Sequence, residues 1–337
     1  MRINWVVFAV RVNFRGLGFL AALELDQILK APKLAKCLQQ HTETKKMSYK
    51  TILAPMQFEE TARTIMDSAI VVASEFGAHI HAKHVRAPFV AYAPYAYHTI
   101  SMATAPVAVS EQFDAATAEN AAKLKAIFED CTTRSGLSIT PISEASASPA
   151  NTACWRDTTG PVMQGMAHFA RVCDLSVVTL PDKTTEPRDA PLFEGLLMES
   201  GRPVLVVPSA GLSSIPKQIL VAWDGSLPAT RAMLAAMPFL KAADQVHIAT
   251  VGEVDFGMPS AESAADYLTS HGVKTSARTV DWPKKPIAER LLNQAEATNS
   301  ELIVMGGYSH ARLFESLLGG TTRHMLAHAD RALLLAH

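Results

Sequence analysis

The chain has 337 residues, 48% of them hydrophobic and 19% charged, with 31 Lys/Arg against 32 Asp/Glu and a formal net charge of -1. This composition excludes a disordered chain, a collagen-like chain and a disulfide scaffold, and the balanced charge gives no whole-protein footprint for nucleic acid. The length fits about two domains. Cys37, Cys131, Cys154 and Cys173 form no CxxC pair, so they read as reduced, mostly buried thiols of a cytoplasmic protein.

Charge is uneven along the chain. Residues 1–46 carry eight Lys/Arg against three Asp/Glu, and the remainder 23 against 29. The apolar run over residues 3–25 is interrupted by Arg11 and Arg15, which argues against a membrane span or a secretory signal. Met47 looks like a fresh start running into a strand. Residues 1–46 are therefore expected to be an extension outside the fold.

From Met47 short β-rich runs alternate with helical runs. Tyr49–Pro55 reads as a strand. Residues 61–76 read as a helix with Ile65, Ala69, Val72 and Phe76 on one face, stopped by Gly77. His79–Val85 alternates like a strand, and residues 88–106, with Tyr92, Tyr95 and Tyr97, read as a loop. A helix over Ser110–Arg134 carries Phe113, Leu124, Phe128 and Cys131 among its inward candidates. Leu137–Ile142 is expected as the next strand, followed by a helical region ending near Cys173. Asp174–Leu180 and Arg202–Pro208 have the apolar character of buried parallel strands.

The order then repeats. Gln218–Trp223, Gln245–Val251, Val273–Val280, Glu301–Met305 and Ala332–Ala336 read as strands. Leu227–Lys241, Ser260–His271, Lys285–Thr298 and Thr321–His328 read as helices. Inward candidates are Thr230, Met233, Leu234 and Met237 on the first of these helices, and Ile287, Leu291, Leu292 and Ala295 on the third. Strands joined by such helices imply parallel βαβ crossovers. The segments DLSVVTL and GRPVLVVP match SELIVMG and DRALLLAH, which marks an internal duplication. The expected organisation is one domain over 47–211 and another over 215–337, with Ser209–Pro216 as the boundary. Each would be an open parallel five-stranded α/β sheet with helices on both faces, and the two would form an intrachain pseudo-dimer.

Ligands of open parallel sheets sit beyond the carboxyl ends of the strands. In the second half two segments lie there: Ala222-Trp223-Asp224-Gly225-Ser226, and Met305-Gly306-Gly307-Tyr308-Ser309 followed by Gly319-Gly320-Thr321-Thr322-Arg323. Paired glycines let a ligand approach backbone, and a helix start offers N–H groups to an anion. Thr321 and Thr322 add hydroxyls, and Asp224 would accept from a ribose. The competing reading is that the glycines serve turns and Asp224 caps a helix.

These residues resemble the universal stress protein A family, whose pattern is G-x2-G-x9-G-[ST] after the fourth strand with an Asp after the first. The resemblance covers about 47–337 as a tandem pair and is stronger in the second half. It implies a Rossmann-like fold of the adenine nucleotide alpha hydrolase type and binding of ATP or another adenine nucleotide. It assigns Asp224 to the ribose side, Ala222 and Val251 to the adenine, and Gly306 and Gly319 to the first and last glycines. Ser309 stands where the second glycine is expected, and Gly320 stands at the Ser/Thr position with Thr321 after it.

The first half departs further. Met56-Gln57-Phe58-Glu59 supplies no Asp, and Pro181-Asp182-Lys183 no paired glycines, so this half is expected to be a degenerate partner. Val204–Val207 and Leu333–Leu335 would pair across the pseudo-dimer. His79, His81 and His84 read as core or strand-surface histidines, without a Cys or carboxylate cluster beside them, so no metal is expected. No Walker A sequence and no G-x-S-x-G elbow occurs. Arg323 reads either as a phosphate partner or as a solvated helix residue. The implied function is a cytoplasmic, nucleotide-responsive regulatory or protective module of stress response. A protein partner is left unidentified, homodimerisation stays open, and no nucleic acid or membrane is involved. The alternatives are a slow ATPase or nucleotidyl-transfer enzyme on the same site, and a structural, dimerising protein that binds no nucleotide.

Overall fold

The computed structural model describes residues 48–88, 107–144, 152–179, 190–252, 257–281, 286–307 and 320–337. Residues 1–46, the loop with Tyr92, Tyr95 and Tyr97, Pro181-Asp182-Lys183, Ser309, His310 and Gly319 lie outside them. In chain order the strands are β1 (Thr51–Pro55), β2 (His79–Arg86), β3 (Ser138–Ile139), β4 (Thr152–Thr159), β5 (Leu175–Thr179), β6 (Val204–Val207), β7 (Gln218–Ala222), β8 (Gln245–Val251), β9 (Thr275–Val280), β10 (Leu302–Gly306) and β11 (Ala332–Ala336). The helices are α1 (Glu59–Phe76), α2 (Val107–Arg134), α3 (Val162–Ala170), α4 (Ala190–Glu199), α5 (Leu227–Ala235), α6 (Met237–Ala242), α7 (Ala261–Ser270), α8 (Ile287–Ala297) and α9 (Gly320–His328).

All strands join one 11-stranded sheet in the order β3-β4-β2-β1-β5-β6-β11-β10-β7-β8-β9. Leaving the short edge strand β3 aside, each half contributes five parallel strands in matching order. The halves meet where β6 and β11 run antiparallel, with Leu333 opposite Val206, Leu334 opposite Leu205 and Leu335 opposite Val204. The expected pairing across the pseudo-dimer is formed. It also fuses the two five-stranded units into one continuous sheet, because each edge strand is wholly apolar and pairs with its counterpart rather than facing water.

Alternate residues along the strands feed two cores. Ile52, Ile80, Val177, Leu205, Ile219 and Leu334 point to one face, where α1, α2, α5, α6 and α7 pack. Leu53, Val178, Val206, Leu220, Ile303 and Leu335 point to the other, under α3, α4, α8 and α9. Both cores cross the seam. Tyr49, Phe76 and Phe239 form a cluster of edge-on and tilted rings between the halves, with centroids 5.2–5.6 Å apart. The Tyr49 hydroxyl donates to the Ala235 carbonyl oxygen at 2.7 Å. Burial, with the charge of Asp174, pushes that phenol well above its ordinary pKa and keeps it a donor.

Three expectations need correction. The third strand position of the first half is held by β4 rather than by 137–142, where only Ser138 and Ile139 pair. β4 alternates Ala153 and Trp155 with Cys154, Arg156 and Thr158, a half-polar pattern that hides a strand. Second, the helix expected over Leu227–Lys241 is broken into α5 and α6. Pro238 has no N–H to give to Leu234, and Leu234 itself is exposed rather than inward. Third, His79, His81 and His84 are core histidines as one of the two readings had it, but a cysteine does accompany them: Cys154 of β4 lies against His79 and His81.

Candidate functional site

Chain order reverses between β7 and β10, which are hydrogen-bonded neighbours in the second half. Loops leaving those two strands in opposite directions open a crevice at their carboxyl ends. Asp224 follows β7 and Gly306 ends β10, so both border it.

The turn after β7 is tightly specified. Trp223 is buried, and its Nε1 donates to the Pro259 carbonyl oxygen at 2.8 Å. Its own carbonyl accepts from the Thr250 hydroxyl at 2.8 Å. Gly225 has φ 75°, and a Cβ there would sit 2.8 Å from Cβ of Met258. Asp224 is exposed, and its Oδ1 accepts from the Ser226 N–H at 3.0 Å. Ser226 then caps α5 by accepting from Ala229 N–H at 3.2 Å. Asp224 thus shapes the turn into α5 while its carboxylate stays in solvent. Ala222 and Val251, at the ends of β7 and β8, are half-buried.

At β10 the glycines have packing roles. A Cβ on Gly306 would lie 2.6 Å from the Ala229 nitrogen and 2.8 Å from Pro228, so the space this glycine frees is filled by the start of α5. A Cβ on Gly307 would meet Leu197 of α4 at 2.9 Å. Gly307 N–H donates to the Ala336 carbonyl oxygen at 2.8 Å, which extends the β10–β11 ladder. Met305 is 5% exposed and belongs to the core between the sheet and α8 and α9. At α9 the positions differ from one another. Gly320 is exposed and a Cβ there meets nothing within 4 Å among the described residues, Thr321 is half-buried, and Thr322 is 3% exposed. Open backbone at this cradle is therefore found at Gly320.

The strand registers equate positions in the two halves: Gln57 with Asp224, Lys83 with Ala249 and Thr179 with Gly306. Gln57 commits both ends of its amide to β2, donating to the Val85 carbonyl oxygen at 2.9 Å and accepting from Val85 N–H at 3.3 Å. The first-half crevice is a shallow groove whose lining includes Pro55, Phe58, Val178, Phe193 and Leu326. Its described walls are mostly apolar, with neither the acid nor the glycines of the second half. Among the described residues no helix is long and apolar enough to cross a membrane.

No protein-family profile and no curated protein matches the chain in sequence. Solved structures do match. A universal stress protein from Archaeoglobus fulgidus DSM 4304 superposes with TM-score 0.60 at 14% identity, covering 85% of this chain and 97% of its own. A Pseudomonas aeruginosa UCBPP-PA14 structure carrying the universal stress protein designation gives TM-score 0.51 at 13% identity, over 87% and 95% of the two chains. Both span the two halves, so the chain has the fold of universal stress protein structures in a tandem arrangement.

Proposed function

We propose that the chain is a tandem universal stress protein whose second half binds an adenine nucleotide and whose first half is a non-binding partner. The reading rests chiefly on the asymmetry of the two crevices. The second pairs an exposed Asp224 with an open helix start at Gly320, while the first pairs a committed Gln57 with apolar walls. Asp224 would accept a ribose hydroxyl, with Ala222 and Val251 flanking the adenine. The N–H groups of Gly320 and Thr321 and the Thr321 hydroxyl would face the phosphates. Gly319 and Ser309 belong to the same proposed cradle. Gly306 and Gly307 would border the cradle, with the space they free taken by α5 and Leu197 rather than by the ligand. Met305 and Thr322 would support it from the core side. Occupancy would favour one arrangement of a partner surface, a population shift in a cytoplasmic stress response.

Gly320→Val separates ligand binding from folding. With open space around Gly320 the fold should accept the side chain, and the unfolding midpoint should stay within the small range usual for surface changes. ATP affinity should fall at least tenfold, because the branched side chain covers the amides. Unchanged affinity in a folded Gly320→Val protein would remove the phosphate site from α9. In the same samples, steady ATP turnover abolished by Asp224→Ala would favour the enzyme reading over the binding module.

A further inference from the structure

The opposite end of the sheet carries a second cluster. β2 and β4 pair in register, with His79 opposite Thr152, His81 opposite Cys154 and Lys83 opposite Arg156. His79, His81 and Cys154 are 0%, 4% and 7% exposed. One ligating atom from each lies within 4.8 Å of the others. His79 Nε2 is 3.3 Å and His81 Nδ1 3.1 Å from the Cys154 sulfur.

The surroundings orient these atoms. Thr152 Oγ1, 2.8 Å from His79 Nδ1, leaves Nε2 as the nitrogen turned to the sulfur. Arg156 Nε donates to His81 Nδ1 at 3.3 Å, so that nitrogen presents its lone pair. Phe169 of α3 covers the cluster edge-on, with its centroid 5.3 Å from the His81 ring. The Thr152 contact, on the His79 nitrogen turned away from the sulfur, is of the kind that orients a metal-binding imidazole from its outer shell, whereas the Arg156 bond occupies the His81 lone pair.

The repeat supplies an internal comparison. In the second half the same registers hold Gln245 for His79, His247 for His81 and Ser276 for Cys154. His247 and Ser276 keep the side-chain contact, at 2.9 Å. The first half therefore adds one imidazole and changes one oxygen to sulfur on an otherwise shared scaffold. The changes add a borderline nitrogen ligand and a soft sulfur ligand.

We propose that His79, His81 and Cys154 form a buried site for a monovalent soft metal ion, copper(I). Metal–nitrogen and metal–sulfur bonds of about 2.0 and 2.3 Å place N and S roughly 3.5–3.8 Å apart, so the cluster opens by about half an ångström on binding. The thiol releases its proton to solvent as the metal–sulfur bond forms, and the His81 lone pair exchanges the Arg156 N–H for the ion. Charge selects the ion. One thiolate with copper(I) is neutral beside the cations Arg156 and Lys83, whereas zinc(II) leaves a net positive charge there. Thiolate with imidazole suits copper(I), and the cluster supplies three ligands rather than the four of a closed zinc site.

The test is an anaerobic titration of the full chain with copper(I) against a chromophoric copper(I) chelator. Cys154→Ser and His79→Gln run alongside, each being the residue that the second half carries at that register. The wild type should hold one more equivalent than either variant, with affinity at least 100-fold higher, and its copper absorption edge should report one sulfur and two nitrogen neighbours. Equal copper retention by wild type and Cys154→Ser would overturn the proposal. So would an edge spectrum of the wild type without sulfur, a measurement that needs no variant to fold. Zinc(II) held in preference to copper(I) would overturn the choice of ion.

Discussion

Gly306→Val is expected to destabilise the protein by roughly 3 kcal/mol or more, the upper range for overpacking, because what it strikes is backbone. The first added carbon alone would sit 2.6 Å from the Ala229 nitrogen and 2.8 Å from the Pro228 carbonyl carbon. Rotating a side chain relieves neither contact. Relief requires moving the first turn of α5, which Ser226 caps through Ala229 N–H. Asp224 leads into that turn through Ser226, so the variant should lose nucleotide affinity together with its fold. Urea unfolding followed by circular dichroism checks this, and a midpoint equal to that of the wild type would show that α5 yields at low cost. The contrast with Gly320→Val is the point: one glycine of the cradle is fixed by packing and the other is open.

Acid should destabilise the metal-free protein by several kcal/mol between about pH 6.5 and pH 4. Burial, then the charge of Arg156, lowers His79 to about 4. Burial, the neighbouring His79 and Arg156 lower His81 to about 3. Both are therefore neutral in the native state while the unfolded chain takes up protons below about 6.5. Stability is complete above that value and falls with pH, by up to about 1.4 kcal/mol per unit for each proton the unfolded state gains. His79→Gln should flatten the slope by about one proton. The check is a series of urea unfolding curves from pH 7.5 to 4.5 on chelator-treated protein. A pH-independent midpoint, or one that rises as the solution is acidified, would contradict buried neutral imidazoles.

Much of the architecture was legible because the chain states it twice. The apolar runs around Leu175–Thr179 and Leu302–Gly306, and the closing runs Val204–Val207 and Ala332–Ala336, announce parallel strands and their shared seam. The strand β4 was not legible, since Asp157, paired with Arg86 at 3.1 Å, breaks the apolar face of Ala153 and Trp155, and Arg156 and Thr158 make the other face half-polar. With β4 went Cys154, and with Cys154 the only sequence cue that the β2 histidines have a sulfur beside them. Spacing alone also gave two meanings to Gly306. A glycine after a strand looks the same whether a ligand or a helix start approaches it, and only the position of Pro228 separates the two.

Calorimetric titration of the full chain with ATP, alongside AMP and cyclic AMP, addresses the asymmetry of the two halves most directly. One adenine nucleotide should bind per chain, and Asp224→Ala should weaken it about 10- to 100-fold, the worth of a hydrogen bond to a charged group. The absence of heat with all three nucleotides, or a single site that survives Asp224→Ala unchanged, would contradict a nucleotide site in the second half.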